Sequence, residues 1–377
     1  PGPTLGVVGG GQLGRMLGEA AGPLGVELVV SDPTPDAPAA PVVRDQIVGD
    51  FDDPETLRAL AERSDYLTFE IELADPDLLE TVSEETGVPV HPAPETLRLI
   101  QDKLVQKERL QEAGIPVPEF RQVDSAEDLH AALDDLGTPA MLKARQGGYD
   151  GRGNVLVETR EDVESAMDEI AGPAMVEAFV PFERELAVMG CRGEGETDTF
   201  PVTETIHEEA ILRESVSPAR AADERIDAAR AVARDVLAEM EGRGVYGIEL
   251  FDTGEEILLN EIAPRPHNSG HWTIEGCHTS QFEQHVRAVT GRPLGSTERR
   301  DPTVSVNILG DGDERREARL TGENAIFERD RAHLHWYGKR EVYPLRKTGH
   351  VTLTGDGEDT DELLASARQL RDGLTFE

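Results

Sequence analysis

Two glutamates and two lysines carry the chemistry most open to argument. Glu249 and Glu261 fall in GVYGIELFD and EEILLNEIAPRPH, apolar runs separated by a Thr253-Gly254 turn. The pattern predicts two strands in a hairpin; given a suitable register, both carboxylates would point to one face and converge. Carboxylates inside apolar strands are costly unless they meet a cation. A magnesium ion takes one or two of them together with phosphate oxygens; a structural salt bridge is the alternative. Lys103 stands in QDKLVQK. Lys143 ends the run AMLK just before QGGYDGRGN, a loop with four glycines in nine residues. Two ammonium groups flanking a loop rich in amides suit a polyphosphate, the alternative being solvated surface lysines. No G-x-x-x-x-G-K-[ST] P-loop is present.

Arg265, His267 and Asn268 follow in APRPHNSGH. An arginine a few residues past a metal carboxylate suits a transferring phosphoryl group or a small anion. His267, His271, Cys277 and His278 match no standard structural zinc spacing. Near the start, LGVVGGGQLGRML places Gly9, Gly11 and Gly14 in G-x-G-x-x-G, and Asp32 closes the next apolar run. This is the dinucleotide fingerprint. A nicotinamide enzyme would add a second βαβ half and a substrate domain with an acid–base residue, and the chain turns to something else after residue 100. The loop therefore reads as a strand, a turn and a helix start whose amides face an anionic or polar ligand.

These residues need elements to hold them. Residues 4–9, VELVVSD, DYLTFEIE (65–72) and GVPVHP (87–92) read as strands alternating with helices, an α/β unit with a parallel sheet that ends at His91-Pro-Ala-Pro94. Residues 95–113 read as helix and GIPVPEF as an extended link. AMLKAR, AMVEAFV and ERELAVMGC read as strands, and residues 280–290 as a helix. Beyond residue 300, TVSVNILG, AHLHWYGK and HVTLTG are short β segments, followed by a helix over 355–371. Three domains are expected, 1–95, 96–298 and 299–377.

The chain has 377 residues, 38% of them hydrophobic, and no apolar run approaches the ~18 residues of a membrane helix. It opens on a buried-looking strand, so no leader is expected. Two cysteines make no disulfide framework, which points to a reducing cytosol. With 75 Asp+Glu against 37 Lys+Arg the formal net charge is −38. The acids are scattered, a solvated face rather than a partner site, and they argue against nucleic-acid binding. Such self-repulsion suits a protein adapted to high salt. Only five lysines occur: Lys103, Lys107, Lys143, Lys339 and Lys347.

GGGQLGRML, TFEIE, QDK, RQGGYDGRGN, VEAFVPFERELAV, NEIAPRPHNSGH, SQFEQHVRA, LHWYGK and RKTGHV occur in this order along nearly the whole chain. Together they resemble the ATP-grasp ligases, and among these the 5-(carboxyamino)imidazole ribonucleotide synthases of purine biosynthesis. The resemblance implies an α/β ATP-grasp fold with an N-terminal Rossmann-like domain and a small C-terminal β-rich domain. It implies a cytoplasmic homodimer that uses ATP, Mg2+ and bicarbonate to carboxylate 5-aminoimidazole ribonucleotide through carboxyphosphate.

Lys103, Lys143 and Gly148 are then expected at the nucleotide phosphates. Glu177 to Val180, with Phe179, is expected as the adenine linker and Glu185 on the ribose, with His207 and Asn260 nearby. Glu249 and Glu261 match the magnesium carboxylates. Gln12, Asp32, Glu70 and Asn268 match positions around the imidazole nucleotide and bicarbonate, and Lys339 and Arg346 match ligands of its 5′-phosphate. Tyr149, Asp150, Arg265 and His267 are expected in catalysis. Lys107 receives no role. Many relatives carry a serine where this chain has Ala37, so a phosphate contact is expected to be missing there. The rival reading is a formate-dependent glycinamide ribonucleotide transformylase, which shares the fold and an R-P-H block; the first loop and the LHWYGK…RKTGH ending favour the synthase.

Overall fold

The computed structural model describes residues 2–147, 153–357 and 359–377. The first hundred residues alternate: β1 (Thr4–Val8), α1 (Gln12–Ala21), β2 (Glu27–Asp32), β3 (Asp45–Val48), α2 (Pro54–Ala61), β4 (Tyr66–Phe69) and α3 (Pro76–Thr86). The strands are parallel in the order β3-β2-β1-β4. β1 is buried at every position because its sheet is covered on both faces. Leu5 and Val7 pack with Leu13, Met16 and Leu17 of α1, while Val8 faces Leu57 and Leu60 of α2. GVPVHP, expected as a strand, makes only one bridge, Val90 to Leu67. Pro89 and Pro92 flank that bridge and have no N–H to continue a ladder.

The helix expected over 95–113 is two helices, α4 (Pro94–Gln101) and α5 (Lys103–Glu112). Asp102 separates them with an extended backbone, and its carboxylate accepts from the amides of Leu104 and Val105. That cap fixes Lys103 as the first residue of α5. The next unit is β5 (Phe120–Val123), α6 (Ala126–Leu136), β6 (Ala140–Ala144), β7 (Asn154–Val157), α7 (Val163–Ile170) and β8 (Ala174–Ala178). Its strands are antiparallel in the order β5-β8-β6-β7, with Leu129, Leu133 and Val163 of the helices packed on Leu142 and Val176.

A third, larger sheet comes next in the chain. It comprises β9 (Arg184–Arg192), β10 (Thr197–Thr199), β11 (Thr203–Glu208), β12 (Ile211–Ser217), β13 (Gly244–Asp252) and β14 (Ile257–Ala263), with α8 (Asp223–Glu239) behind it. α9 (Thr273–Gly276) and α10 (Gln281–Val289) succeed it. The C-terminal segment adds β15 (Thr303–Leu309), β16 (Arg316–Glu317), β17 (Leu320–Thr321), α11 (Asn324–Phe327), β18 (Ala332–Trp336), β19 (Glu341–Val342), β20 (Lys347–Thr354) and α12 (Thr360–Asp372). Its core, including Val304, Val351 and Leu363, also takes in Val216 of β12. Its strands continue the large sheet, because β15 pairs with both β12 and β20. The order is β14-β13-β9-β11-β12-β15-β20-β18. Among the described residues no helix is long and apolar enough to cross a membrane.

Candidate active site

The hairpin of β13 and β14 sets Glu249 directly opposite Glu261, so both side chains leave the same face of the sheet. The register then shifts: Leu250 pairs with Leu259, and Asn260 is an extra residue on β14. The bulge reverses the usual alternation. Leu259 turns into the core with Leu250 and Ile248, while Glu261, two residues on, turns the other way. Glu249 is largely enclosed, at 18% side-chain exposure, and Glu261 is half-exposed. Lys103 Nζ lies 3.0 Å from Glu261 Oε1. Its charge holds the Glu261 carboxyl below the ordinary range. Burial raises that of Glu249, and the neighbouring Glu261 adds to this. His267 Nε2 stands 3.7 Å from Glu249 Oε1. Two hard oxygen donors on facing positions, one of them costly to ionise alone, fit a divalent cation that shares its remaining positions with phosphate.

Glu177, on β8, is 3% exposed. Lys143 Nζ lies 2.5 Å from one of its oxygens and Lys107 Nζ 3.0 Å from the other. Burial alone would raise this carboxyl, but the two ammonium groups overcome it and hold it down at about 2. The carboxylate is therefore committed to lysines, and Phe179 and Val180, just past the end of β8, form the linker proper. Ala178 to Pro181, Pro116 to Glu119, Glu255, Glu256 and Leu258 line a cavity of about 520 Å³. Leu258 pairs with Phe251, and Phe182 stacks on Phe251 with ring centroids 5.0 Å apart. A slot that sets apolar Phe179, Val180 and Leu258 beside linker backbone and polar side chains suits a flat heteroaromatic ring with polar edges. Glu185 and His207 meet at 2.8 Å on the neighbouring strands β9 and β11. Burial opposes a charge on His207, and Glu185 and Glu249 together more than restore it.

The N-terminal glycine loop is occupied from within. Gly10 donates its N–H to Asp32 Oδ2 at 3.0 Å, and Gly11 donates to Glu70 Oε1 at 2.7 Å. A Cβ at Gly9, where φ is +105°, would stand 2.5 Å from Glu70 Cγ. The glycines thus make room for a carboxylate, and two amides that a pyrophosphate would need are already taken. Glu70 is 5% exposed. Burial pushes its carboxyl up to about 7, against the Gly11 N–H and the charge of Arg265. Arg265 itself pairs with Glu72 at 2.8 Å, joining the first domain to the end of β14. Gln12 opens α1, and Ala37 is buried beside this loop, its amide donating to Gln46.

His267 and Asn268 come directly after Arg265 and Pro266. The His267 ring meets Ser269 Oγ at 2.9 Å. Asn268 accepts from Asn307 Nδ2 at 2.9 Å, so a β15 residue orients it. Lys339 Nζ donates to the Lys347 carbonyl at 2.7 Å, and Arg346 lies over the Tyr343 ring. Gly148, Tyr149 and Asp150 lie outside the described residues.

Sequence reasoning missed Lys107, Leu258, Asn307 and Glu72. Lys107 carried one signal: it stands four residues after Lys103, which puts both on one face of a helix. Leu258 carried none, because only the bulge at Asn260 decides which face it takes.

Three family descriptions match along the chain. They are a ribonucleotide synthetase preATP-grasp domain over residues 3–101, an ATP-grasp domain over 108–282 and a phosphoribosylaminoimidazole carboxylase C-terminal domain over 303–365. The N5-carboxyaminoimidazole ribonucleotide synthase of Brucella melitensis is 42% identical over 357 residues, 93% of this chain and 96% of that protein. The crystal structure of the Thermotoga maritima synthetase superposes with a TM-score of 0.89 at 41% identity, covering 99% of both chains. That of the Aspergillus clavatus synthase with ADP and 5-aminoimidazole ribonucleotide superposes at 0.90, with 34% identity and 98% of each chain covered.

Proposed function

The chain belongs to the N5-carboxyaminoimidazole ribonucleotide synthases, and from that premise we propose how its residues divide the work. It is an ATP-grasp ligase that carboxylates 5-aminoimidazole ribonucleotide at the expense of ATP, in purine biosynthesis. The observation that carries the assignment of roles is the facing pair Glu249 and Glu261, with Lys103 on one of them.

Adenine occupies the slot between Phe179–Val180 and Leu258, where linker backbone supplies polar contacts and Leu258 apolar ones. Glu185 takes the ribose hydroxyls, with His207 holding its orientation. Lys103 and Lys143 face the phosphates. Glu249 and Glu261 would hold Mg2+, with Asn260 adjacent. Such an ion, when bound, would supply positive charge where negative charge builds during phosphoryl transfer. Bicarbonate is a poor electrophile. Its oxygen takes the γ-phosphoryl group of ATP, giving carboxyphosphate and ADP, and Arg265 holds first one anion and then the other.

Carboxyphosphate breaks to CO2 and inorganic phosphate beside the amine of the imidazole nucleotide. The amine attacks CO2, and the proton it loses passes to Asp150 or His267. Gln12, Asp32, Glu70 and Asn268 position the nucleotide, and Lys339 and Arg346 take its 5′-phosphate. Because Asp32 and Glu70 fill the loop amides, the first domain offers this substrate carboxylates, which suit ribose hydroxyls and the amine and repel phosphate.

A reducing cytosol fits two buried thiols, Cys191 and Cys277, neither in a disulfide. A homodimer remains the expectation from the family, and sedimentation at micromolar protein tests it. The assignment of roles is tested by Glu261→Gln. ADP release falls by two orders of magnitude or more while the fold melts as before, the loss expected when a transition-state charge partner is removed. A variant of near-normal rate contradicts it.

A further inference from the structure

Lys107, the lysine to which the family pattern assigns no role, is the one lysine or arginine that is buried among the described residues, at 2% exposure. An ammonium has three hydrogens, and three oxygens stand around this one. They are the carbonyls of Leu259 at 3.0 Å and Asn260 at 2.9 Å, and Glu177 Oε1 at 3.0 Å. The two carbonyls are consecutive, and they are those of the bulge in β14. A bulge interrupts the ladder and leaves backbone groups that need other partners. Here the partner comes from α5, over 150 residues earlier. The third oxygen belongs to a carboxylate on β8 of the other sheet, shared with Lys143. One buried cation therefore ties the strand that carries Glu261 to the strand that leads into the adenine linker.

We propose that Lys107 is a positioning residue: by pinning the Asn260 bulge it fixes the aim of Glu261 toward Glu249, and so couples metal affinity to the nucleotide leaf. The bulge alone separates the direction of Glu261 from that of Leu259. A bulge that relaxed by one residue would turn the carboxylate toward the core face. α5 supplies the lever, since Lys103 at its first position pairs with Glu261 itself and Lys107 one turn later holds the backbone beside it. The helix thus grips the metal strand twice, once by side chain and once by main chain. This rests on the assignment of Glu261 to Mg2+.

The test is calorimetric binding of ADP with and without Mg2+, which reads the metal's contribution apart from turnover. In Lys107→Met the ratio of the two affinities falls about tenfold, as losses of a residue behind a metal ligand do, while the variant still melts cooperatively. Lys107→Met/Glu177→Gln, which removes the buried carboxylate's charge along with the ammonium, shows the same fall. Glu261→Gln abolishes the Mg2+ effect. If Glu261→Gln keeps the ratio, the metal assignment itself fails. If Glu261→Gln loses it and a folded Lys107→Met keeps it, only the role of Lys107 is overturned. Failure of both lysine variants to fold also overturns it, in favour of a purely structural tie.

Discussion

At the scale of single residues, the chemistry lies in which charges are balanced. Glu261 is balanced by Lys103, and Glu177 by Lys143 and Lys107. Glu70, like Glu249, is raised by burial, to about 7. A glutamate in the unfolded chain ionises near 4.3. Between these values the folded protein binds more protons than the unfolded chain, so stability falls as pH rises through this window and levels off above it. Glu70→Gln keeps an acceptor for the Gly11 amide and removes that fall. Denaturant unfolding between pH 5 and 8 reads it: the variant gains on wild type as pH rises, by at most about 3 kcal/mol. A constant difference across the range contradicts the assignment. Lys103, Lys143, Glu249 and Glu261 were legible in the sequence because their types and neighbours announce charge in apolar runs. Lys107 was not, because two of its partners are carbonyls of a strand far along the chain, and no side-chain spacing encodes a main-chain contact.

At the scale of elements, the β13–β14 hairpin and the linker after β8 do the positioning. The Thr253-Gly254 turn between the apolar runs GVYGIELFD and EEILLNEIAPRPH foretold the hairpin. The extra residue at Asn260 has no sequence signature and reverses the outcome for Leu258 and Leu259. Leu258→Ala, at the slot, raises the KM for ATP about tenfold, the value of one apolar side chain lost from a ring contact, and leaves the KM for the imidazole nucleotide unchanged. Steady-state kinetics with each substrate varied separate the two; equal changes in both place Leu258 outside the nucleotide slot. The hairpin of β11 and β12 escaped notice for a related reason. Its turn residues, Glu209 and Ala210, both have positive φ, where Asn-Gly is the usual signal. Helix α8 was also missed; its buried face includes Ala229 and Ala233, small residues that carry little periodic signal.

At the scale of the whole molecule, the sheet runs unbroken from the β13–β14 hairpin to the C-terminal strands. The segment that carries Lys339 and Arg346 is therefore built into the frame of the ATP site, although the sequence read as three separate units. That continuity depends on the β12–β15 pairing, a long-range contact that short-range patterns do not predict. The net charge of −38 is spread over this frame. Screening lengths shrink from about 10 Å at 0.1 M salt to about 3 Å at 1 M, so repulsion among surface acids weakens steeply. The melting temperature is expected to rise continuously from about 0.1 M to about 2 M KCl; a flat profile removes the case for adaptation to high salt.

The most direct measurement is ADP release by the purified chain with two substrate pairs. With 5-aminoimidazole ribonucleotide and bicarbonate the expected result is turnover that requires both compounds, and with glycinamide ribonucleotide and formate none. Turnover with the second pair alone would contradict it.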